Sequence, residues 1–103
     1  MKTLGLIGGT SWVSTIDYYR LINELTNQRL GGVNSAKLIL YSVNFGQFQP
    51  PTEISQWGPL TQKFTNIATK LEEAGAEGLV LCANTPHMIA DAIQQEIEIP
   101  LYI

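Results

Sequence analysis

The chain has 103 residues, 45% of them hydrophobic and 15% charged, which suits one packed domain and leaves little room for two. Six basic and nine acidic side chains give a net charge of −3. That balance excludes a charge-rich disordered chain and argues against nucleic-acid binding, which needs a basic stripe to meet phosphates.

No apolar run reaches the roughly 18 to 20 residues of a membrane-crossing helix. The opening Met1-Lys2-Thr3-Leu4-Gly5 leads almost directly into a strand pattern and lacks a signal peptide's apolar segment. With Cys82 as the single cysteine there is no internal disulfide. A reducing, cytoplasmic setting is therefore the expectation, with the thiol left available.

Residues 3–7 are short and apolar and stop at Gly8-Gly9, as a buried strand would. A helix is predicted over 15–30, with Ile16, Tyr19, Ile22 and Leu25 on one side, Ser14 or Ser11 as cap and Gly31-Gly32 as the stop. Residues 37–43 form a second strand. The stretch 44–59, with Phe45, Phe48, Pro50-Pro51 and Trp57, reads as a long irregular loop. A helix over 60–74 carries Phe64, Ile67, Ala68 and Leu71 as its stripe and ends at Gly75. Residues 79–82 are a third strand. Thr85 and Pro86 suit the cap and first position of a helix running to Glu96. A fourth strand begins at Pro100.

The order β-α-β-α-β-α-β, with near-continuous apolar strands, predicts an α/β fold. It is a three-layer lobe with a four-stranded, mainly parallel sheet and helices on both faces. Right-handed crossovers bring the βα loops to one edge, where open α/β sheets bind ligands. Three segments converge there: Gly8-Gly9-Thr10-Ser11, Asn44-Phe45-Gly46-Gln47 and Cys82-Ala83-Asn84-Thr85.

Cys82 stands where a strand ends just before a helix, so free N–H groups and the helix dipole would favour a thiolate. A buried small hydrophobe is the plainer account, since cysteine is among the most buried residue types. Asn84 and Thr85 offer an amide and a hydroxyl at a helix start, suited to a carboxylate or simply to capping. The turn Gly8-Gly9-Thr10-Ser11 allows close approach of an anion, but neither a dinucleotide fingerprint nor a phosphate loop is present. One cysteine and one histidine, His87, make no zinc site. Met88 stands where a phosphatase-type Cys-x5-Arg loop needs arginine. Lys37, Lys63 and Lys70 read as solvated, and Trp12, Tyr18, Tyr19 and Trp57 as core or interface.

Taken together, Gly5-Leu6-Ile7-Gly8-Gly9-Thr10-Ser11-Trp12-x-Ser14-Thr15 and Tyr18-Tyr19-Arg20-x-Ile22-Asn23 resemble the opening of the aspartate/glutamate racemase family. The likeness continues through Leu30-Gly31-Gly32, Ser35-Ala36-Lys37 and Tyr41-Ser42-Val43-Asn44-Phe45. It culminates in Glu73-Ala74-Gly75-Ala76-Glu77-Gly78-Leu79-Val80-Leu81-Cys82-Ala83-Asn84-Thr85-x-His87. The match is similar in detail to the broad-specificity amino-acid racemase branch. Thr10, Val13 and Pro86 depart from it, standing where methionine, glutamate and methionine are usual.

The resemblance implies one lobe of a two-lobe racemase, residues 1–103 being the amino-terminal lobe and the second lobe lying outside this chain. It implies a cofactor-independent and metal-free reaction in which two cysteines, one per lobe, remove and deliver the α-proton on opposite faces. Cys82 would be the thiol of this lobe. Thr10, Ser11, Ala83, Asn84 and Thr85 would grip the carboxylate of a small amino-acid substrate such as aspartate or glutamate. Asn44 to Gln47 would border its side chain. The full-length family implies a homodimer. Two other readings stand beside this one: a thiol-dependent relative such as a maleate isomerase, hydantoin racemase or decarboxylase-like protein, and an inactive lobe that binds small carboxylates.

Overall fold

The computed structural model describes residues 1–48, 57–82 and 87–102. The strands are β1 (Leu4–Gly8), β2 (Leu38–Ser42), β3 (Gly78–Leu81) and β4 (Leu101–Tyr102). The helices are α1 (Trp12–Leu30), α2 (Trp57–Glu73) and α3 (His87–Glu96), and a short 3₁₀ turn occupies Phe45–Gln47. All strand pairs are parallel, in the order β2-β1-β3-β4. The expected α/β fold is the fold observed.

Laterally paired residues of a parallel sheet point to the same side, so the register defines two faces. One carries Ile7 and Leu81, which are partners, together with Leu79 and Leu101, which are also partners. On it pack Leu60, Phe64, Ile67, Ala68 and Leu71 of α2 and Ile89 and Ile93 of α3, forming the hydrophobic core. The α2 residues recur at helical spacing, and burying each large one stabilises the fold by roughly 1.5–3 kcal/mol. α2 stops where Gly75 takes φ +107. There Ala76 N–H donates to Leu71 O at 3.0 Å and Gly75 N–H to Glu72 O at 3.1 Å, the paired bonds of a Schellman motif. The Glu72 carboxylate accepts from Glu98 N–H at 2.7 Å and Ile99 N–H at 3.1 Å, tying this helix end to the approach to β4.

The other face carries the row Leu40–Leu6–Val80–Tyr102. Its centre is sealed, with Leu6 0% exposed, but its ends are open: Leu40 is 45% and Tyr102 54% exposed. α1 lies on this side, because Thr15 of α1 sits where a Cβ on Gly8 would project, 2.6 Å from Thr15 Cγ2. This face is covered over its middle and open toward both edges.

α1 differs from expectation in start and in packing. It begins at Trp12 rather than residue 15, with Ser11 as its cap, and its one buried residue is Thr15. Tyr18, Ile22 and Thr26 are half-buried beside it, whereas Ile16, Tyr19 and Leu25 are exposed. The reason is local: Gly8 leaves room for a small side chain directly above it, and the Gly9 N–H requires a hydroxyl acceptor there. Trp12, 66% exposed, and Tyr19, 53% exposed, are thus not core residues, while Trp57 packs partly buried against the core. α2 also begins earlier than expected, at Trp57, inside the predicted loop. The predicted cap Thr85 and first helical residue Pro86, the prolines at 50 and 51, and Ile103 lie outside the described residues. Among those described, no helix is long and apolar enough to cross a membrane.

Gly9 has φ +89, and a Cβ there would sit 2.5 Å from Val43 N and 2.8 Å from Ser42 Oγ. Strain and collision coincide at this position, whereas a Cβ on Gly75 meets open space. Gly9→Ala is expected to destabilise by roughly 3 kcal/mol or more, and Gly75→Ala by about 1–2 kcal/mol. Urea denaturation of the two variants beside wild type checks the ranking.

Candidate active site

The three strands that meet at β1 end together. Val43 N–H donates to Gly8 O at 2.8 Å, and Cys82 N–H donates to Ile7 O at 3.0 Å. Each continues the ladder one residue past its strand. The Gly9-Thr10-Ser11 turn, Asn44 and Cys82 therefore share the carboxyl edge of the sheet, as the topology predicts.

The turn is held from α1. Gly9 N–H donates to Thr15 Oγ1 at 2.9 Å, in a buried bond, and Thr15 Oγ1 donates to Ser11 O at 3.1 Å. Thr15 N–H also reaches Ser11 O at 3.0 Å, and Ser11 Oγ accepts from Ser14 N–H at 3.5 Å. One threonine thus fixes both ends of the tight turn. Residue patterning treated Thr15 only as a helix start. The signal that could have marked it is a hydroxyl in the first turn of a helix that follows Gly-Gly.

Thr10 Oγ1 is buried and has no hydrogen-bond partner among the described residues. Buried hydroxyls are nearly always bonded, and an orphan costs about 1–3 kcal/mol. This one lies beside the N-terminus of α1, where the first N–H groups have no intrahelical acceptor. Ser11 is exposed. After β2, Asn44 Oδ1 accepts from Gly46 N–H at 3.0 Å, and the 3₁₀ turn closes through Gln47 N–H to Asn44 O at 2.9 Å. Asn44 and Gln47 are both exposed at this edge. Ala83, Asn84 and Thr85 lie outside the described residues.

Cys82 is 0% exposed. Its Sγ lies 3.9 Å from Val80 O, a weak contact of the protonated thiol. Burial pushes the thiol up from an ordinary 9.0 to about 11. Proximity to a helix start predicted the opposite direction. The cause is desolvation of the anion, which keeps Cys82 a neutral thiol at physiological pH.

The site is thus an α/β sheet edge with a glycine turn, a buried hydroxyl without a partner among the described residues and a shielded thiol, an arrangement suited to a small polar ligand and proton transfer. The chain matches the Asp/Glu/hydantoin racemase family over residues 7–102 and belongs to it. It is similar to the crystal structure of a candidate Asp/Glu racemase from Yersinia pestis, at 48% identity and a TM-score of 0.90, covering 98% of this chain and 44% of that one. It is also similar to the crystal structure of an aspartate racemase homologue from Pyrococcus horikoshii. There the identity is 37% and the TM-score 0.86, with the same 98% and 44% coverage. The chain spans less than half the length of each.

Two outcomes are expected from this geometry. Thr15→Val leaves the buried Gly9 N–H without an acceptor and should destabilise by about 1–3 kcal/mol, whereas Thr15→Ser should recover most of that loss. Thermal unfolding of both variants checks it. For Cys82, the folded chain retains a proton that the unfolded chain releases near 9.0. Its stabilising effect is therefore complete below pH 9 and is lost as pH rises toward 11. Thiolate absorbance should titrate near pH 11 in the folded chain and near pH 9 in urea.

Proposed function

We propose that this chain is the thiol-bearing amino-terminal lobe of a cofactor-independent amino-acid racemase acting on aspartate, glutamate or a broader set. The observation that carries the reading is the meeting of the Gly9-Thr10-Ser11 turn and Cys82 at one sheet edge in a member of this family. Cytoplasmic residence and a homodimer of the full-length protein belong to the same reading.

In this scheme the substrate carboxylate accepts hydrogen bonds from the hydroxyls of Thr10 and Ser11 and from donors at Ala83, Asn84 and Thr85. The Thr10 hydroxyl, without a partner among the described residues, gains one on binding. Cys82 faces one side of the α-carbon and a thiol of a second lobe faces the other. One sulfur, as thiolate, takes the α-proton while the opposite thiol gives its own to the other face. The number of protons bound is unchanged and the configuration is inverted. Two groups are required because a single base returns the proton to the face it came from. Donors on the carboxylate stabilise the negative charge that develops as the α-proton leaves. A neutral Cys82 suits the proton-giving half of the cycle, since general acid catalysis needs the proton present in the resting state.

A second reading is favoured by one specific observation. The thiol is sealed from solvent and held well above neutrality, as in a lobe that binds small carboxylates without turning them over. Incubating the chain with L-aspartate or L-glutamate in heavy water separates the two. Cys82-dependent uptake of α-deuterium, reduced by a factor of about 100 or more in Cys82→Ser, supports the racemase lobe. Binding by calorimetry with no exchange supports the inactive one.

A further inference from the structure

The geometry points to Lys63 as a positioning residue that holds the turn after β2 in place and thereby sets discrimination among amino-acid side chains. This role rests on the racemase reading above. The sequence pattern reads Lys63 as solvated, and it is exposed, yet its ammonium has two partners. Its Nζ donates to Gln47 O at 2.9 Å and lies 5.3 Å from the centroid of the Phe48 ring. Phe48 in turn packs on Phe64, the next residue of α2, with ring centroids 5.3 Å apart and an interplanar angle of 56°. Two successive residues of one helix thus grip the end of the 3₁₀ turn, one by its last carbonyl and one by the ring that follows.

The start of the same turn has further anchors. Val43 is hydrogen-bonded to Gly8, and Asn44 caps the turn through Gly46 N–H. The start also packs in the core that α2 helps to form, whereas the far end is held by the α2 side chains Lys63 and Phe64. Between these anchors the turn displays Phe45 and Gln47, both exposed, at the edge that carries Cys82. An amino acid held by its carboxylate at the Thr10 turn would extend its side chain toward neighbouring loops, and this is the described loop adjoining that turn. Lysine suits the clamp because one flexible ammonium can satisfy a carbonyl and lie over a ring together. Neither contact is deeply buried, so each is worth little in stability. The expected consequence is in ligand discrimination more than in folding.

The test compares the 103-residue chain with Lys63→Met, which keeps the apolar stem, and with Lys63→Arg, which keeps the donor. Phe48→Leu removes the ring without altering charge. Affinities for L-glutamate and L-alanine are measured by calorimetry, beside amide exchange at Gln47 and Phe48 and thermal unfolding. Lys63→Met should lower the glutamate-to-alanine affinity ratio by about two- to fivefold and speed exchange at both amides, with little change in unfolding midpoint. Lys63→Arg should restore the ratio, and Phe48→Leu should lower it as Lys63→Met does. An unchanged ratio, or an equal loss for both ligands, overturns the role of Lys63 while leaving the racemase reading intact. If wild type binds neither amino acid, the racemase reading falls and this role falls with it.

Discussion

The close passage of Gly9 against the backbone of Val43 is the constraint on which the rest of this fold depends. β1 is an inner strand, so whatever follows it must turn across a neighbour before a helix can begin. At φ +89 and with no space for a Cβ, the chain turns within a single residue. Thr15 then receives the Gly9 N–H and returns its own proton to Ser11 O. Because Gly8 and Ile7 also accept from Val43 and Cys82, the same few residues bring three strand ends to one place. The fold and the candidate site are therefore not separable here: the turn that lets α1 start is the turn that forms part of the candidate site.

The two faces of the sheet show how unevenly the core is distributed. α2 and α3 bury one face, whereas α1 covers only the middle of the other. The contrast follows from the residues each helix offers. α2 presents Leu60, Phe64, Ile67, Ala68 and Leu71 to the sheet, but α1 presents Thr15 with the partly buried Tyr18, Ile22 and Thr26. A helix whose innermost contact is a hydroxyl contributes less from apolar burial, and its attachment relies more on hydrogen bonds. Asn23 Oδ1 accepts from Ala36 N–H at 2.9 Å, and Asn27 Nδ2 donates to Gly32 O and Asn34 O at 2.8 and 2.9 Å. These asparagines lash the exit of α1 to the approach of β2. α1 is positioned by its two ends, and the glycine turn is one of them.

Much of this was legible from residue order. Strand positions came within a residue or two, because short apolar runs bounded by glycine leave few alternatives. Four members of the α2 stripe, Phe64, Ile67, Ala68 and Leu71, are legible because their period is regular, whereas Leu60, at the expected helix start, is added by the structure. α1 misled for a physical reason: its apolar residues recur at plausible helical spacing, yet the packed position went to a threonine selected by a single backbone N–H. No hydrophobic pattern reports such a demand. The convergence of the Thr10 turn, Asn44 and Cys82 followed from topology alone. The grip of Lys63 on the turn after β2 did not, since it joins residues 16 apart through one carbonyl and one ring. The direction of the Cys82 shift was likewise hidden, because it depends on how completely the surrounding side chains exclude water.

That last point bears on how the thiol would work. Burial is the cause of its raised pKa, so ionisation needs a favourable charge brought close. Two of the chain's cations have partners of their own. Lys63 is held by Gln47 O and the Phe48 ring, and Arg20 lies 3.6 Å from Asp17 and 3.3 Å from Glu24 on the exposed side of α1. On the proposed reading, an amino-acid zwitterion supplies what the lobe lacks. Its carboxylate meets the donors of the Thr10 turn, and its ammonium brings a positive charge toward the sulfur, where the shielded site makes that attraction stronger than in water. Binding then comes before ionisation, and the empty lobe keeps a protonated thiol. Desolvation, which leaves little of Cys82 as thiolate at neutral pH, is the same condition that makes it responsive to the charge of a ligand.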